Sequence, residues 1–136
     1  MQMNTPDRTE TRTIAIAAPP EAVLGVVGDA TRLPEWAPAF AHAVRPDGEG
    51  WIVESGGAEF PIRLRVAPEY GTVDILAPAE PPRGAFARVI PSGAGSEFLF
   101  TLSFPSGTEE AAVVAQMRTV ETELQAVREL SEAARA

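Results

Sequence analysis

His42 is the single histidine of the chain, and so the one side chain that changes charge near neutrality without perturbation. A strand pairing symmetric about Pro46–Gly48 sets it opposite Val53, pointing to the apolar side of a sheet. There it would serve as a general base or as a hydrogen-bond partner for a ligand; the plainer alternative is a satisfied histidine at a rim. Neither a second histidine nor any cysteine accompanies it. Zinc and iron want three or more converging N, S or O ligands, so no metal site is expected. Arg65 and Asp74 fall opposite each other across a hairpin and read as an ion pair on the outer face, where such pairs contribute about 0–1 kcal/mol, rather than as catalytic groups. Gln116, Glu121 and Arg128 flank the apolar stripe of the last helix. Glu121 lies about 80° from the stripe's centre at 100° per residue, where either a cavity edge or solvent would receive it. Trp36, Trp51 and Phe40 would either wall a pocket mouth or pack in the core, while Tyr70 falls in a turn. The serines lack a nucleophile elbow and a partner acid, so a hydrolase triad is not supported. Gly93-x-Gly95 is followed by a strand, not by the helix that a phosphate cradle requires.

Composition narrows the field further. A chain of 136 residues suits one domain and can bury about two-thirds of its unfolded surface. Eleven arginines, no lysine and nineteen acids leave a net charge of −8. Such a chain lacks the basic footprint that nucleic acids or anionic lipid surfaces demand. The absence of cysteine excludes disulfides, thiol nucleophiles and thiolate-bound clusters. Met1 to Glu10 is polar, without the apolar run of a signal peptide, and the patch Thr13 to Ala18 is too short to span a bilayer. The expectation is a cytoplasmic protein with no stable membrane insertion and no cofactor, residues 1–9 mobile and residues 10–136 forming one domain.

The elements that position these residues follow from periodicity. Glu10 to Ala18 alternates polar residues with Ile14 and Ile16, as a half-buried strand does. Pro19-Pro20-Glu21 opens a helix with Val23, Val26 and Val27 on its buried face. Gly28-Asp29 ends it, and Asp29 caps a second short helix that runs through Leu33 towards Trp36. Six strands are expected at 39–45, 51–55, 58–66, 72–77, 85–90 and 96–104, separated by Gly-, Pro- and Asp-rich breaks. Gly56-Gly57 is a two-residue hairpin signal. Ser106 with Glu109 has the form of a capping box. Beyond it Val113, Met117, Val120, Leu124 and Val127 make one apolar stripe on a helix of about 25 residues. Strand, two short helices, six strands and a long helix make an α+β chain whose antiparallel sheet buries one face on the last helix.

Symmetric pairing about each turn assigns the faces, because opposed residues share one. Val53 opposes Phe60, Trp51 opposes Ile62, Leu64 opposes Ile75, Val66 opposes Val73, Val89 opposes Phe98 and Ala87 opposes Phe100. One face is then apolar and extends through Leu102 and Phe104; the other carries Glu54, Arg63, Arg65, Asp74, Arg88 and Thr101. Seven strands about 4.8 Å apart are about three times as wide as a helix about 10 Å across. Either the sheet curls around the helix to give a packed core, or part of its concave face lines a cavity.

The order of elements, with Ala18-Pro19-Pro20-Glu21 opening the first helix, then Asp29 and Leu33-Pro34-x-Trp36, resembles the START-like (SRPBCC) superfamily of helix-grip proteins. Tyr70-Gly71-Thr72-Val73-Asp74, Arg88-Val89-Ile90-Pro91 and Gly95-Ser96-Glu97-Phe98-x-Phe100 are similar to a polyketide cyclase/dehydratase-like bacterial subgroup without assigned activity. The resemblance spans residues 10–134. It implies a seven-stranded curved antiparallel sheet wrapped around the C-terminal helix, with a cavity for a small apolar or amphipathic molecule. The expected cavity wall is Trp36, Phe40, His42, Trp51, Phe60, Ile62, Leu64, Val73, Ile75, Phe98, Phe100 and Leu102 from the sheet side, with Val113, Met117, Val120 and Leu124 from the helix. The superfamily does not fix one chemistry. The leading expectation is binding of a hydrophobic ligand. The alternatives are a cyclase/dehydratase-type enzyme using His42, or a ligand-free regulatory or interaction module, including a homodimer.

Overall fold

In a computed structural model, which describes residues 6–79 and 83–135, the chain starts with strand β1 (Arg8–Ile16). β1 begins two residues before the expected start, so residues 8 and 9 belong to the sheet. The rest of the N-terminal segment expected to be mobile lies largely outside the described residues, which begin at 6. Helix α1 (Pro20–Val27) follows, with Pro at its first position and Val23, Val26 and Val27 buried. The Asp29 carboxylate then accepts from the Thr31 N–H at 3.0 Å and caps a 3-10 turn, Ala30–Arg32, that leads into α2 (Leu33–Trp36).

The remaining strands are β2 (Ala43–Asp47), β3 (Gly50–Ser55), β4 (Ala58–Ala67), β5 (Thr72–Ala77), β6 (Arg83–Ser92) and β7 (Gly95–Phe104). They form one antiparallel seven-stranded sheet in the order β1-β7-β6-β5-β4-β3-β2, and α3 (Glu110–Arg135) follows the last strand. This is the helix-grip architecture that the order of elements predicts.

Register follows the turns. Val53 meets Phe60, Arg65 meets Asp74 and Val89 meets Phe98, as symmetric pairing requires. Arg65 Nη2 reaches Asp74 Oδ2 at 2.8 Å on the outer face. The β2–β3 hairpin differs. Its turn is Gly48-Glu49, with Gly48 at φ 59°, so Val44 pairs with Val53 and Pro46 with Trp51, two residues from the expected register. The expected strand at 39–45 loses its first residues because a turn follows α2: the Phe40 and Ala41 N–H groups both donate to the Ala37 carbonyl, at 3.0 and 2.9 Å. His42 is thereby left before the strand begins.

Val113, Met117, Val120, Leu124 and Val127 are all buried on α3, and each such side chain contributes about 1.5–3 kcal/mol by leaving water. The helix starts later than the capping-box reading had it. Ser106-Gly107 is a turn, and the N–H groups of Ala112 and Val113 donate to the Glu109 carbonyl at 3.0 and 3.1 Å. The main neighbours of α3 are β1, α1 and α2. Arg12 Nε meets Glu121 Oε2 at 3.1 Å on its β1 flank, and Glu132 accepts from the Ala17 N–H at 2.8 Å near its end. A helix held against β1 cannot also cover the sheet's other half, and α2 bridges only part of the difference.

Candidate functional site

Where α3 and the far half of the sheet diverge, a cavity of about 400 Å³ opens. Its walls come from six elements. Leu33, Trp36 and Ala37 stand on or just after α2, with Phe40 in the following turn; Phe60 and Ile62 start β4; Ile75 and Ala77 end β5; Arg83, Gly84 and Ala85 start β6; and Phe100, Leu102, Ser103 and Phe104 end β7. Gln116 and Glu123 close it from α3. A volume of this size lies within the range of small-molecule sites.

The walls are built from aromatic contacts. Trp36 and Phe100 meet edge to face with ring centroids 6.0 Å apart, and Phe40 meets Phe60 in the same manner at 5.5 Å. Trp36 is 1% exposed, and its indole N–H is buried with no hydrogen-bond acceptor among the described residues. Leaving such a donor unmatched costs about 1–3 kcal/mol.

Glu123 is the exceptional lining residue. It is 7% exposed, among apolar walls, and takes part in no hydrogen bond or ion pair seen among the described residues. Burial pushes its carboxyl up to about 7, because a charge is costly where water is excluded. Arg83 is the other charged side chain among the described lining residues; it is half exposed and reaches Asp7 at 3.6 Å. The site therefore offers an apolar volume with one acid that exchanges its proton near neutrality.

The sixteen residues expected to wall a cavity divide in two. Trp36, Phe40, Phe60, Ile62, Ile75, Phe100 and Leu102 line this opening. Val73, Phe98, Val113, Met117, Val120 and Leu124 are instead buried in the packed core, and Trp51 and Leu64 pack on its margin half buried. The division has one physical cause: α3 packs chiefly on β1 and α1 with its stripe buried, so only the flank beyond it faces free volume. His42 does not join the site at all. It is exposed in the bend before β2, and its backbone N–H donates to the Glu54 carbonyl at 2.8 Å.

Glu123 escaped the sequence reading for a geometric reason. At 100° per residue, Glu121 and Glu123 stand about 80° to either side of the stripe's centre. Periodicity cannot say which flank meets β1 and which meets a void. Arg12 takes Glu121 on one side; α2 and the far sheet half leave Glu123 facing the cavity on the other. Among the described residues no three His, Asp or Glu side chains converge as metal ligands would, and no helix is long and apolar enough to cross a membrane.

Comparison with known proteins places this geometry. Residues 8–132 match the family described as polyketide cyclase/dehydrase and lipid transport. Among solved structures, a protein from Thermobifida fusca is 21% identical, with a TM-score of 0.70 over 90% of this chain and 92% of its own. The Zhui aromatase/cyclase from a Streptomyces species is 16% identical, with a TM-score of 0.70 over 92% and 93%. The Aha1 dimer of Colwellia psychrerythraea is 14% identical, with a TM-score of 0.70 over 95% and 99%. At such identities these neighbours speak for the fold alone. Comparison with curated proteins gave no match. The family match over nearly the whole chain and the shared helix-grip fold agree: the chain belongs to the polyketide cyclase/dehydrase and lipid transport family of the START-like superfamily.

Proposed function

We propose that this protein binds a small apolar or amphipathic molecule in the cavity between α2, α3 and the ends of β4 to β7. The observation that carries this reading is the cavity itself, about 400 Å³ lined mainly by aromatic and aliphatic side chains, beside the buried hydrophobic core. Small-molecule sites are concave and mostly apolar with a few placed polar groups, which is the character of this cleft.

The test uses Ala85, which lines the cavity from β6. An uncharged solvatochromic dye such as Nile red should bind the wild type, and Ala85→Phe, which fills the volume, should lose that binding while remaining folded. Undiminished dye binding by a folded Ala85→Phe protein would place the dye elsewhere and sink the proposal.

A second reading, catalysis of the cyclase or dehydratase kind, draws support from Glu123 alone. General acid–base groups work best with a pKa near the working pH, and burial holds this carboxyl at about 7. His42, exposed and outside the cavity, offers that reading nothing. Loss of turnover in Glu123→Gln, on any substrate found, with ligand affinity kept, would separate catalysis from binding.

A further inference from the structure

We propose that the ligand of this cavity is an apolar molecule bearing one cationic amine, which the Glu123 carboxylate receives as an ion pair. The inference rests on the preceding reading that the cavity is a binding site, and adds what the occupant's polar end must be.

The argument is one of unmatched chemistry. Carboxylates are almost never fully buried unless paired, because an isolated buried charge is costly. Glu123 is buried at the wall, and no cation among the described residues forms an ion pair with it. Among the described residues, several charged groups on the surrounding elements already have partners elsewhere. On α3, Glu121 holds Arg12 and Glu110 holds Arg8. On the α2 side, Glu35 holds Arg32 at 2.9 Å. Arg83 of β6, at the opening, meets Asp7. A partner for Glu123 can therefore come from the ligand.

Three kinds of polar end are conceivable, and the site ranks them. A carboxylate would meet a second negative group where water is scarce, so either it or Glu123 would have to hold a proton. A hydroxyl would donate one neutral hydrogen bond. An ammonium would make a charge-assisted bond, roughly twice as strong as a neutral one. It would also restore Glu123 to its ionised form, so binding below neutral pH expels a proton from the carboxyl. The remaining walls, Trp36, Phe40, Phe60 and Phe100 among them, then take the apolar body. Aromatic faces also favour a nearby cation.

The experiment displaces Nile red from the full chain with three probes of equal chain length: decylamine, decanol and decanoate. At neutral pH the amine should bind at least about tenfold more tightly than the carboxylate, the step of about 1.4 kcal/mol that one charge-assisted bond supplies. Decanol should fall between. In Glu123→Gln the advantage of the amine should vanish while decanol changes less than about threefold. Independently of any variant, calorimetry of the wild type below neutral pH in two buffers of different ionisation heat should show a proton released with decylamine and none with decanol. Decanoate binding as well as decylamine, or an amine preference that survives in Glu123→Gln, overturns the inference; so does amine binding without proton release. If Nile red binds but the ranking fails, the amine assignment alone is wrong. If neither the dye nor any probe binds, the binding-site reading falls and takes this inference with it.

Discussion

Replacing Glu123 by glutamine should make the protein more stable, by a margin that grows from about pH 4.5 to about pH 7. The unfolded chain returns the carboxyl to its ordinary 4.5, whereas burial holds it at about 7 in the fold. A raised acid binds its proton more tightly when folded. Stability is therefore full below about pH 4.5, falls as pH rises through the interval, and levels off above about 7. Each pKa unit is worth 1.36 kcal/mol, so the ionised carboxylate costs about 3 kcal/mol at pH 8, a ceiling that water in the cavity would lower. For a domain of this size that is roughly 10 °C in melting temperature. The arginine-paired acids do not confuse the window. Glu10, Glu35, Glu59 and Glu110 are held below the ordinary carboxylate range by hydrogen bonds from Arg8, Arg32, Arg45 and Arg8 respectively, so their contributions are lost only as pH falls below about 4.5. The assay is thermal unfolding of wild type and Glu123→Gln from pH 5 to pH 8. The melting temperatures should lie close together at the acidic end and separate by roughly 10 °C at the basic end, with the variant higher. A gap that stays constant across the range would falsify the assignment of an unpaired buried carboxylate.

Three further outcomes follow from the packing. Gly84 holds φ 150°, and a Cβ there would collide with the Ile75 carbonyl oxygen across the β5–β6 ladder; Gly84→Ala should cost at least about 1–3 kcal/mol, read by urea unfolding, and a neutral result would mean the two strands can part. Val120 is fully buried and lies outside the cavity lining, so Val120→Trp should overpack the core at about 1–3 kcal/mol or more; an unchanged melting temperature would reveal free volume under the stripe. His42→Ala, at an exposed bend, should leave stability within about 0.5 kcal/mol and dye binding unaltered, and any loss of binding would bring the histidine back into the site.

The strands were legible in the sequence because turn chemistry fixes registers locally. Gly56-Gly57 alone suffices to set Val53 against Phe60, and the polar-apolar alternation of β4 to β7 then tells inside from outside. The β2–β3 hairpin departs from the expected register because Pro46-Asp47-Gly48 reads as the turn, whereas the reversal centres on Gly48-Glu49. That shift, with the turn after α2, carried His42 out of the expected wall. The α3 stripe was also legible, since burial follows 3.6-residue periodicity. What no periodicity contains is where along the sheet the helix settles. That lateral position comes from long-range contacts with β1 and α1, and it decides that Val120 is core while Glu123 faces a cavity.

The pairing of β1 with β7 sets the order in which this molecule can be assembled. β1 is made first, yet its partner runs from Gly95 to Phe104, and Ile14 must wait for Phe98. Five of the six ladders join neighbours in sequence and can close as they emerge; the sixth spans most of the chain and is slow for that reason. During synthesis, therefore, Ile14 and Ile16 travel unpaired until two-thirds of the chain has followed, and β6, once made, presents a bare edge until β7 joins it. The nascent chain is most open to misassociation just before its seventh strand appears, and any truncation ahead of Gly95 would hold it at that stage.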